Sequence, residues 1–170
     1  MNQSLQWLNK LSPDDARAEF LKCCGCERWA AAMSEARPFD TIDRIFVIGD
    51  QIWRSLGPED WLEAYRAHPR IGEKKAEVQQ SQRAESWSAR EQSGVTNSAD
   101  AIKTALADAN TRYENRFGFI FIVCASGKSA SEILAILNSR LQNDPQAELS
   151  VAAEEQRKIT RLRLEKLLSQ

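Results

Sequence analysis

The sequence contains few of the side chains from which metal sites and disulfide frameworks are built. It has one histidine, His68, and four cysteines among 170 residues. Three cysteines crowd into the segment CCGC at residues 23–26, and Cys124 stands far along the chain. A zinc site usually needs paired Cys-x-x-Cys motifs or mixed cysteine and histidine clusters, and a small secreted protein needs a regular cysteine framework. We therefore expect buried, reduced cysteines and no metal.

An excess of one charge and a long apolar stretch are also missing. The chain has 23 Lys and Arg against 24 Asp and Glu, which indicates neither a nucleic-acid-binding surface nor an acidic arm. The longest apolar run, residues 117–125, is too short to span a bilayer. The first residues lack a signal-peptide pattern, and the last four, LLSQ, are not a peroxisomal tail. We expect a cytoplasmic protein of bacterial type with no membrane or nucleic-acid partner.

Helical periodicity runs through most of the chain. Ser12 followed by Pro13 is typical of a helix start, and Ser129 with Glu132 predicts a capping box. Asn97 or Ser98 is expected to cap a further helix. The predicted helices lie in segments 12–24, 40–57, 58–68, 79–94, 97–118, 129–143 and 147–168. A chain of this length with no repeats and no linker predicts one all-α domain over residues 1–170.

One segment breaks the helical pattern. Residues 119–124 are mostly aromatic or β-branched and lie between two glycines, which is typical of a buried strand. A lone strand cannot make a sheet, so we predict a buried extended segment near residues 118–125 within a helical bundle. Its peptide groups need partners, and a polar ligand is one candidate. The following Gly-Lys-Ser resembles a phosphate-binding loop, but Ile122 stands where that motif requires glycine, so Ser129 is interpreted as a helix cap.

Two groups of side chains could carry chemistry. His68 directly precedes Pro69, which ends a predicted helix and fixes the direction of the ring. An imidazole titrates near neutral pH and suits proton transfer, although a packed or exposed ring is the alternative. Ser88, Glu91 and Gln92 have helical i, i+3, i+4 spacing, so they share one face that could line a cleft or meet solvent.

The last helix supplies a third candidate group. Arg157, Arg161 and Arg163 lie on it, and each could be a surface charge. One of them turned inward could instead bind a carboxylate with both guanidinium nitrogens.

Taken in order, these motifs resemble the 2-oxo-4-hydroxy-4-carboxy-5-ureidoimidazoline (OHCU) decarboxylase family, which acts in the route from urate to allantoin. The resemblance covers nearly the whole chain, through CCGCERWAAAMSEARPF, HPRIG, SWSAREQSGV, YENRFGFIFIVCASGKSASEIL and KITRLRLEKLL. It implies an all-α fold, a homodimer, and neither a metal nor an organic cofactor. The implied activity is that of a carboxy-lyase that forms (S)-allantoin.

The resemblance also implies the site residues. His68 matches the catalytic histidine, and Glu91 is expected to hold that ring in one tautomer or to bind a substrate N–H. The other substrate-binding positions are Pro69, Ser88, Ala89, Arg90, Gln92, Ile120, Phe121, Ile122, Val123, Cys124 and Arg161. Arg163 is the alternative to Arg161. The residues Arg70-Ile71-Gly72 differ from those of many members and indicate a subgroup.

The expected reaction needs such groups. Loss of CO₂ leaves an electron pair that must be delocalised into an adjacent C=N bond, and the product must be protonated on one face. We expect His68 to take the hydroxyl proton and to return a proton to carbon. Two other classes remain open. One is a hydrolase with Ser88, His68 and Glu91 as nucleophile, base and orienting group, although a serine within a helix lacks the usual strained turn. The other is a non-enzymatic helical adaptor.

Overall fold

The computed structural model describes residues 3–71 and 99–170. Within these ranges the chain forms eight helices and no β-strand, so the all-α prediction is confirmed. The helices are α1 (Gln3–Lys10), α2 (Pro13–Cys23), α3 (Glu27–Glu35), α4 (Ile42–Ser55), α5 (Pro58–Arg66), α6 (Asp100–Phe117), α7 (Ala130–Arg140) and α8 (Pro145–Leu168). The helix predicted for residues 79–94 lies outside the described residues. No described helix is long and apolar enough to cross a membrane.

Two helix starts follow the sequence signals closely. The Ser12 hydroxyl accepts a hydrogen bond from the Asp15 N–H at the start of α2. At the start of α7, Ser129 and Glu132 form the predicted capping box, each side chain accepting the backbone N–H of the other residue. Both caps satisfy backbone N–H groups that have no partner inside the helix.

The start of α6 differs from the prediction. Its N-cap is Ala99, which has an extended backbone and no side-chain cap, and the helix begins at Asp100. The carboxylate in the first turn is favourably placed against the helix dipole. The predicted caps, Asn97 and Ser98, lie outside the described residues.

The chain divides into two compact units. The first comprises Met1–Ala64 and Arg157–Gln170, and the second Tyr65–Gln156. Helix α8 therefore contributes its first half to the second unit and its last half to the first. The single domain over residues 1–170 stays a prediction.

The core of the first unit is aromatic and rich in sulfur. Phe20 packs edge-on against Trp29, with ring centroids 6.0 Å apart. The three CCGC thiols are fully buried, and none of the four cysteines forms a disulfide in the described part of the chain. Burial raises the pKa of the Cys26 thiol to about 11 and also raises that of Cys24. The interpretation of these cysteines as small buried groups is confirmed.

The second unit packs around the extended segment between α6 and α7. Residues 120–125 have no regular secondary structure, and residues 121–125 are buried, as the sequence predicts. Phe121 and Val123 pack in one cluster with apolar side chains of α6 and α7. The Tyr113 ring of α6 meets the Phe121 ring edge-on at 5.3 Å. The segment is thus enclosed by helices that it could not pair with as a strand.

Gly118 provides the turn from α6 into this segment. Its φ is +79°, its N–H donates to the Glu114 carbonyl at 2.8 Å, and there is open space around the position of a Cβ. A residue with a side chain loses about 1–2 kcal/mol in this left-handed conformation.

We therefore predict that Gly118→Ala lowers the free energy of unfolding by about 1 kcal/mol, because the backbone rather than packing is strained. Urea unfolding followed by circular dichroism measures the change. Gly57→Ala is the matched control, since Gly57 also has open space but no left-handed backbone. Equal effects of the two substitutions would contradict the assignment.

Candidate active site

His68 lies just beyond α5 and is tied to α8. Its backbone N–H donates to the Tyr65 carbonyl at 3.1 Å, and its half-buried imidazole places Nε2 2.6 Å from Oε1 of Gln156. The Gln156 side chain is fully buried. The Tyr65 hydroxyl donates to the Leu149 carbonyl, also on α8, at 3.0 Å. The end of α5 and the imidazole are therefore both fixed to one helix.

The turn after Pro69 is anchored to α6. Arg70 Nε and Nη2 donate to the two carboxylate oxygens of Glu114, at 2.5 and 2.7 Å. Ile71 is buried in the apolar cluster of the second unit. Arg70 and Ile71, two of the three residues that follow His-Pro in the HPRIG motif, thus hold this turn in place. The third, Gly72, lies outside the described residues.

The extended segment is held through its backbone. Glu155 of α8 accepts a hydrogen bond from the Cys124 N–H at 3.2 Å, and Lys128 Nζ donates to the Cys124 carbonyl at 3.1 Å. Arg140 Nη1 donates to the Ile122 carbonyl at 2.5 Å. These bonds fix the path of the segment, beside which the described residues form no strand.

Three further residues of this segment leave their peptide groups without a hydrogen bond in the described part of the chain. Among residues 3–71 and 99–170, the N–H and C=O groups of Ile120, Phe121 and Val123 form no hydrogen bond. Buried peptide groups are nearly always paired, so a polar molecule bound here would satisfy them.

A buried ion pair, Arg140 with Glu148, contacts the extended segment. Arg140 is 6% exposed and Glu148 is fully buried; Arg140 Nε donates to Glu148 Oε1 at 2.7 Å. Glu148 also accepts the Tyr113 hydroxyl at 2.5 Å and the Asn143 amide at 2.8 Å. Burial, together with the hydrogen bond to Glu148, raises the pKa of Tyr113 far above its usual value, so the phenol remains a neutral donor.

The guanidinium of this ion pair also packs on the segment. Its carbon lies 4.5 Å from the centre of the Phe121 ring, within range of a cation–π interaction. Arg140 thus contacts both the side chain of Phe121 and the carbonyl of the next residue.

One turn of α8 joins the two parts of the candidate site. Glu155 binds the extended segment through Cys124, and the next residue, Gln156, contacts His68. Consecutive Cα atoms are about 3.8 Å apart. The imidazole and the end of the segment are therefore held from neighbouring positions on one rigid element, and the structure brings together two stretches that the sequence predicts to act jointly.

Several metal-ligating atoms approach each other in the first unit. The Cys26 thiol and carboxylate oxygens of Asp60 and Glu63 lie within 4.8 Å of one another. Asp60 already accepts from Arg28 at 2.8 Å, and Glu63 accepts from the Glu27 N–H at 3.3 Å. Burial raises the pKa of the Cys26 thiol to about 11, and both carboxylates already accept hydrogen bonds from groups of the first unit.

Comparison with known proteins identifies the family. The family model for OHCU decarboxylase matches residues 9–165. An OHCU decarboxylase of Amia calva is 34% identical over 146 residues, which cover 84% of this chain and 81% of that protein. The chain belongs to the OHCU decarboxylase family. The mouse (Mus musculus) OHCU decarboxylase is also 34% identical, over 147 residues, with 84% of this chain and 80% of that protein covered.

Other relatives agree with this membership. A uric acid degradation bifunctional protein of Arabidopsis thaliana is 41% identical over 152 residues, or 89% of this chain. This chain spans about half the length of that relative, 47%. The crystal structure of an OHCU decarboxylase in the presence of (S)-allantoin aligns with a TM-score of 0.78 and 36% identity, covering 90% of this chain and 99% of that one. A structure of (S)-allantoin synthase, 20% identical with a TM-score of 0.72, shares the fold.

The remaining site residues predicted from the family resemblance have different outcomes. Ser88, Ala89, Arg90, Glu91 and Gln92 lie outside the described residues.

Arg161 lies in the first unit with its side chain 46% exposed. Its guanidinium carbon is 4.4 Å from the centre of the Phe46 ring, and its Nε is 3.5 Å from a Glu165 carboxylate oxygen. The alternative, Arg163, is buried. The role of either arginine in substrate binding stays a prediction.

The polar residues of α8 that hold the site of this OHCU decarboxylase family member were not predicted from the sequence. Glu148 and Gln156 are buried on α8, eight residues apart. Such spacing normally carries the apolar stripe of an amphipathic helix. Polar residues at these core positions were the available signal, because a buried polar side chain requires a specific partner.

We predict that Arg140→Met lowers the free energy of unfolding by about 3–5 kcal/mol, because it leaves the Glu148 carboxylate buried without its cation. Chemical unfolding followed by circular dichroism measures this change. Arg112→Met, at an exposed position of α6, is the matched control and should change stability by less than about 0.5 kcal/mol.

The double variant Arg140→Met, Glu148→Met tests the cause of that loss. It should be more stable than Arg140→Met alone, since no unpaired charge remains buried. Equal stability of the Arg140 and Arg112 variants would show that the buried pair does not support the segment.

Proposed function

We propose that this protein catalyses the decarboxylation of OHCU to (S)-allantoin in urate degradation, without a cofactor and with His68 as acid and base. One observation carries the proposal. The lone imidazole of a chain in this family is held by Gln156, next to the Glu155 side chain that binds the extended segment. A proton-transfer group and a row of peptide groups are thereby fixed in one unit, as the reaction requires.

Substrate binding would use the extended segment. The peptide N–H groups of Ile120, Phe121 and Val123 are suited to donate to ring atoms on which negative charge develops, and their carbonyls to accept ring or ureido N–H groups. Donors held in place before the reaction stabilise such charge without reorganising. We include Pro69, Ile122 and Cys124 in the lining, and Arg161 as the group that orients the substrate carboxylate.

Five further positions complete the proposed site. We assign substrate contacts to the polar positions of the SWSAREQSGV motif, with Glu91 either orienting His68 or accepting a substrate N–H. These positions are Ser88, Ala89, Arg90, Glu91 and Gln92.

The chemical steps follow from the structure of the substrate. The bond between the carboxylate and the hydroxyl-bearing carbon breaks, and its electron pair forms a double bond to the carbon of the adjacent C=N group. The nitrogen of that group gains the displaced pair and takes up a proton from water, so one proton is consumed for each CO₂ released. His68 takes the hydroxyl proton, so that the hydroxyl carbon becomes a carbonyl, and returns a proton to the former C=N carbon. Delivery from one side makes that carbon (S).

The assembly and location of the enzyme are part of the same proposal. We propose a homodimer in the cytoplasm, by analogy with the family.

We predict that His68→Asn lowers kcat by at least about 100-fold, the usual contribution of a positioned acid or base. The substrate is generated in the cuvette from urate with urate oxidase and hydroxyisourate hydrolase, and formation of (S)-allantoin is followed by circular dichroism. Spontaneous decay without the protein, and an unchanged far-ultraviolet spectrum of the variant, are the controls.

Two results would contradict the proposal. Slow racemic allantoin with the wild-type protein would rule out the activity. Retention of most of the rate enhancement by His68→Asn would rule out the role of the imidazole.

A further inference from the structure

The side chain that contacts the His68 ring, Gln156, is polar and fully buried. The Gln156 carboxamide has no exposed surface, and its Oε1 lies 2.6 Å from the imidazole Nε2. A glutamine side chain gives up substantial rotamer freedom when it is fixed in a core. A buried amide is stable only with its hydrogen bonds made, so the imidazole is one of the groups that hold Gln156 in the core.

We propose that Gln156 is a positioning residue that fixes both the orientation of the His68 ring and its tautomer, with the proton on Nε2. This inference rests on the proposed function, in which His68 transfers protons. Gln156 itself acts through the imidazole and is not assigned a contact with substrate.

The tautomer follows from the chemistry of the two atoms. A carboxamide oxygen accepts hydrogen bonds and cannot donate them, so the facing Nε2 must carry the hydrogen. In a neutral imidazole the other nitrogen, Nδ1, then has the basic lone pair. Of the two roles proposed for Glu91, this tautomer is compatible with accepting a substrate N–H, because a carboxylate cannot donate a hydrogen bond to Nδ1. The hydrogen bond on one ring nitrogen thus selects the atom that can accept a proton.

The helix around Gln156 is held firmly enough to orient a ring. Glu148, two turns earlier, lies in the buried ion pair, and the Leu149 carbonyl accepts the Tyr65 hydroxyl. Glu155, the preceding residue, binds the Cys124 N–H. Gln156 therefore acts from an element fixed on several sides. Misplacement of a catalytic group by about 1 Å can cost about 100-fold in rate.

An amide suits position 156 better than a carboxylate would, because His68 must both take up and release a proton. A carboxylate facing Nε2 would stabilise the imidazolium and retain its proton. The neutral Gln156 oxygen fixes the N–H without adding a negative charge at that nitrogen.

The single histidine permits a direct test by NMR. The protein is expressed without a histidine tag and labelled with ¹⁵N-histidine, so that His68 gives the only imidazole signals. Two-bond ¹H–¹⁵N correlation spectra are recorded at a pH high enough that the ring no longer titrates. We expect a protonated Nε2 and an unprotonated Nδ1 in the wild type.

Three variants separate positioning from general structure. Gln156→Leu should give a mixture of tautomers and lower kcat by about 10- to 100-fold with a much smaller change in KM. Gln156→Glu keeps the acceptor and should retain the Nε2–H tautomer. Gln146→Leu makes the same chemical change at an exposed position of α8 and should alter neither the tautomer nor kcat.

The outcomes distinguish this inference from the proposed function. A wild-type protein without decarboxylase activity contradicts the proposed function, whatever the tautomer. An Nδ1–H tautomer in the wild type, or a folded Gln156→Leu protein with the wild-type tautomer and kcat, overturns the role of Gln156. If Gln156→Leu does not fold, the spectra of the wild type and of Gln156→Glu still test whether Gln156 sets the tautomer. An Nδ1–H tautomer in either protein would contradict this role.

Discussion

The hydrogen bonds made by one turn of α8 are the interaction on which the candidate site depends. Gln156 holds the imidazole of His68 and Glu155 holds the backbone of Cys124. Neither partner belongs to a regular element: one follows the end of α5, and the other ends an extended segment beside which residues 3–71 and 99–170 place no strand. A loop residue and a strand-like segment have little stiffness of their own, so a well-anchored helix must supply it. Catalytic groups in loops are commonly positioned by a rigid scaffold in this way.

The buried pair of Arg140 and Glu148 helps to hold the extended segment of the same site. Buried ion pairs contribute little net stability compared with well-packed apolar residues, because both charges must lose their water. This pair also positions neighbouring groups by hydrogen bonds, which apolar residues could not do. Arg140 donates to the Ile122 carbonyl and packs on the Phe121 ring, while Glu148 fixes Tyr113 and Asn143. The pair thus determines where the peptide groups of the extended segment point.

Local signals in the sequence predicted two helix starts and the extended segment. The caps at Ser12 and Ser129 are formed as expected because they need only the next few residues, and the run from residue 119 to 124 stands out from its helical surroundings. The partners of the site were not predictable in this way. Gln156 lies 88 residues from His68, and a glutamine in a charged helix normally faces solvent. Only long-range packing shows that it is buried and what it contacts.

The most direct test of the account is a titration with (S)-allantoin, observed by NMR at two places. If His68 and the extended segment form one site, the ¹⁵N signals of the His68 ring and the amide signals of residues 120–124 shift together, with one midpoint. We also expect (R)-allantoin to bind more weakly, because the site favours one face of the product. A shift confined to the imidazole or to the segment, or two separate midpoints, would show that His68 and the extended segment do not form a single binding site.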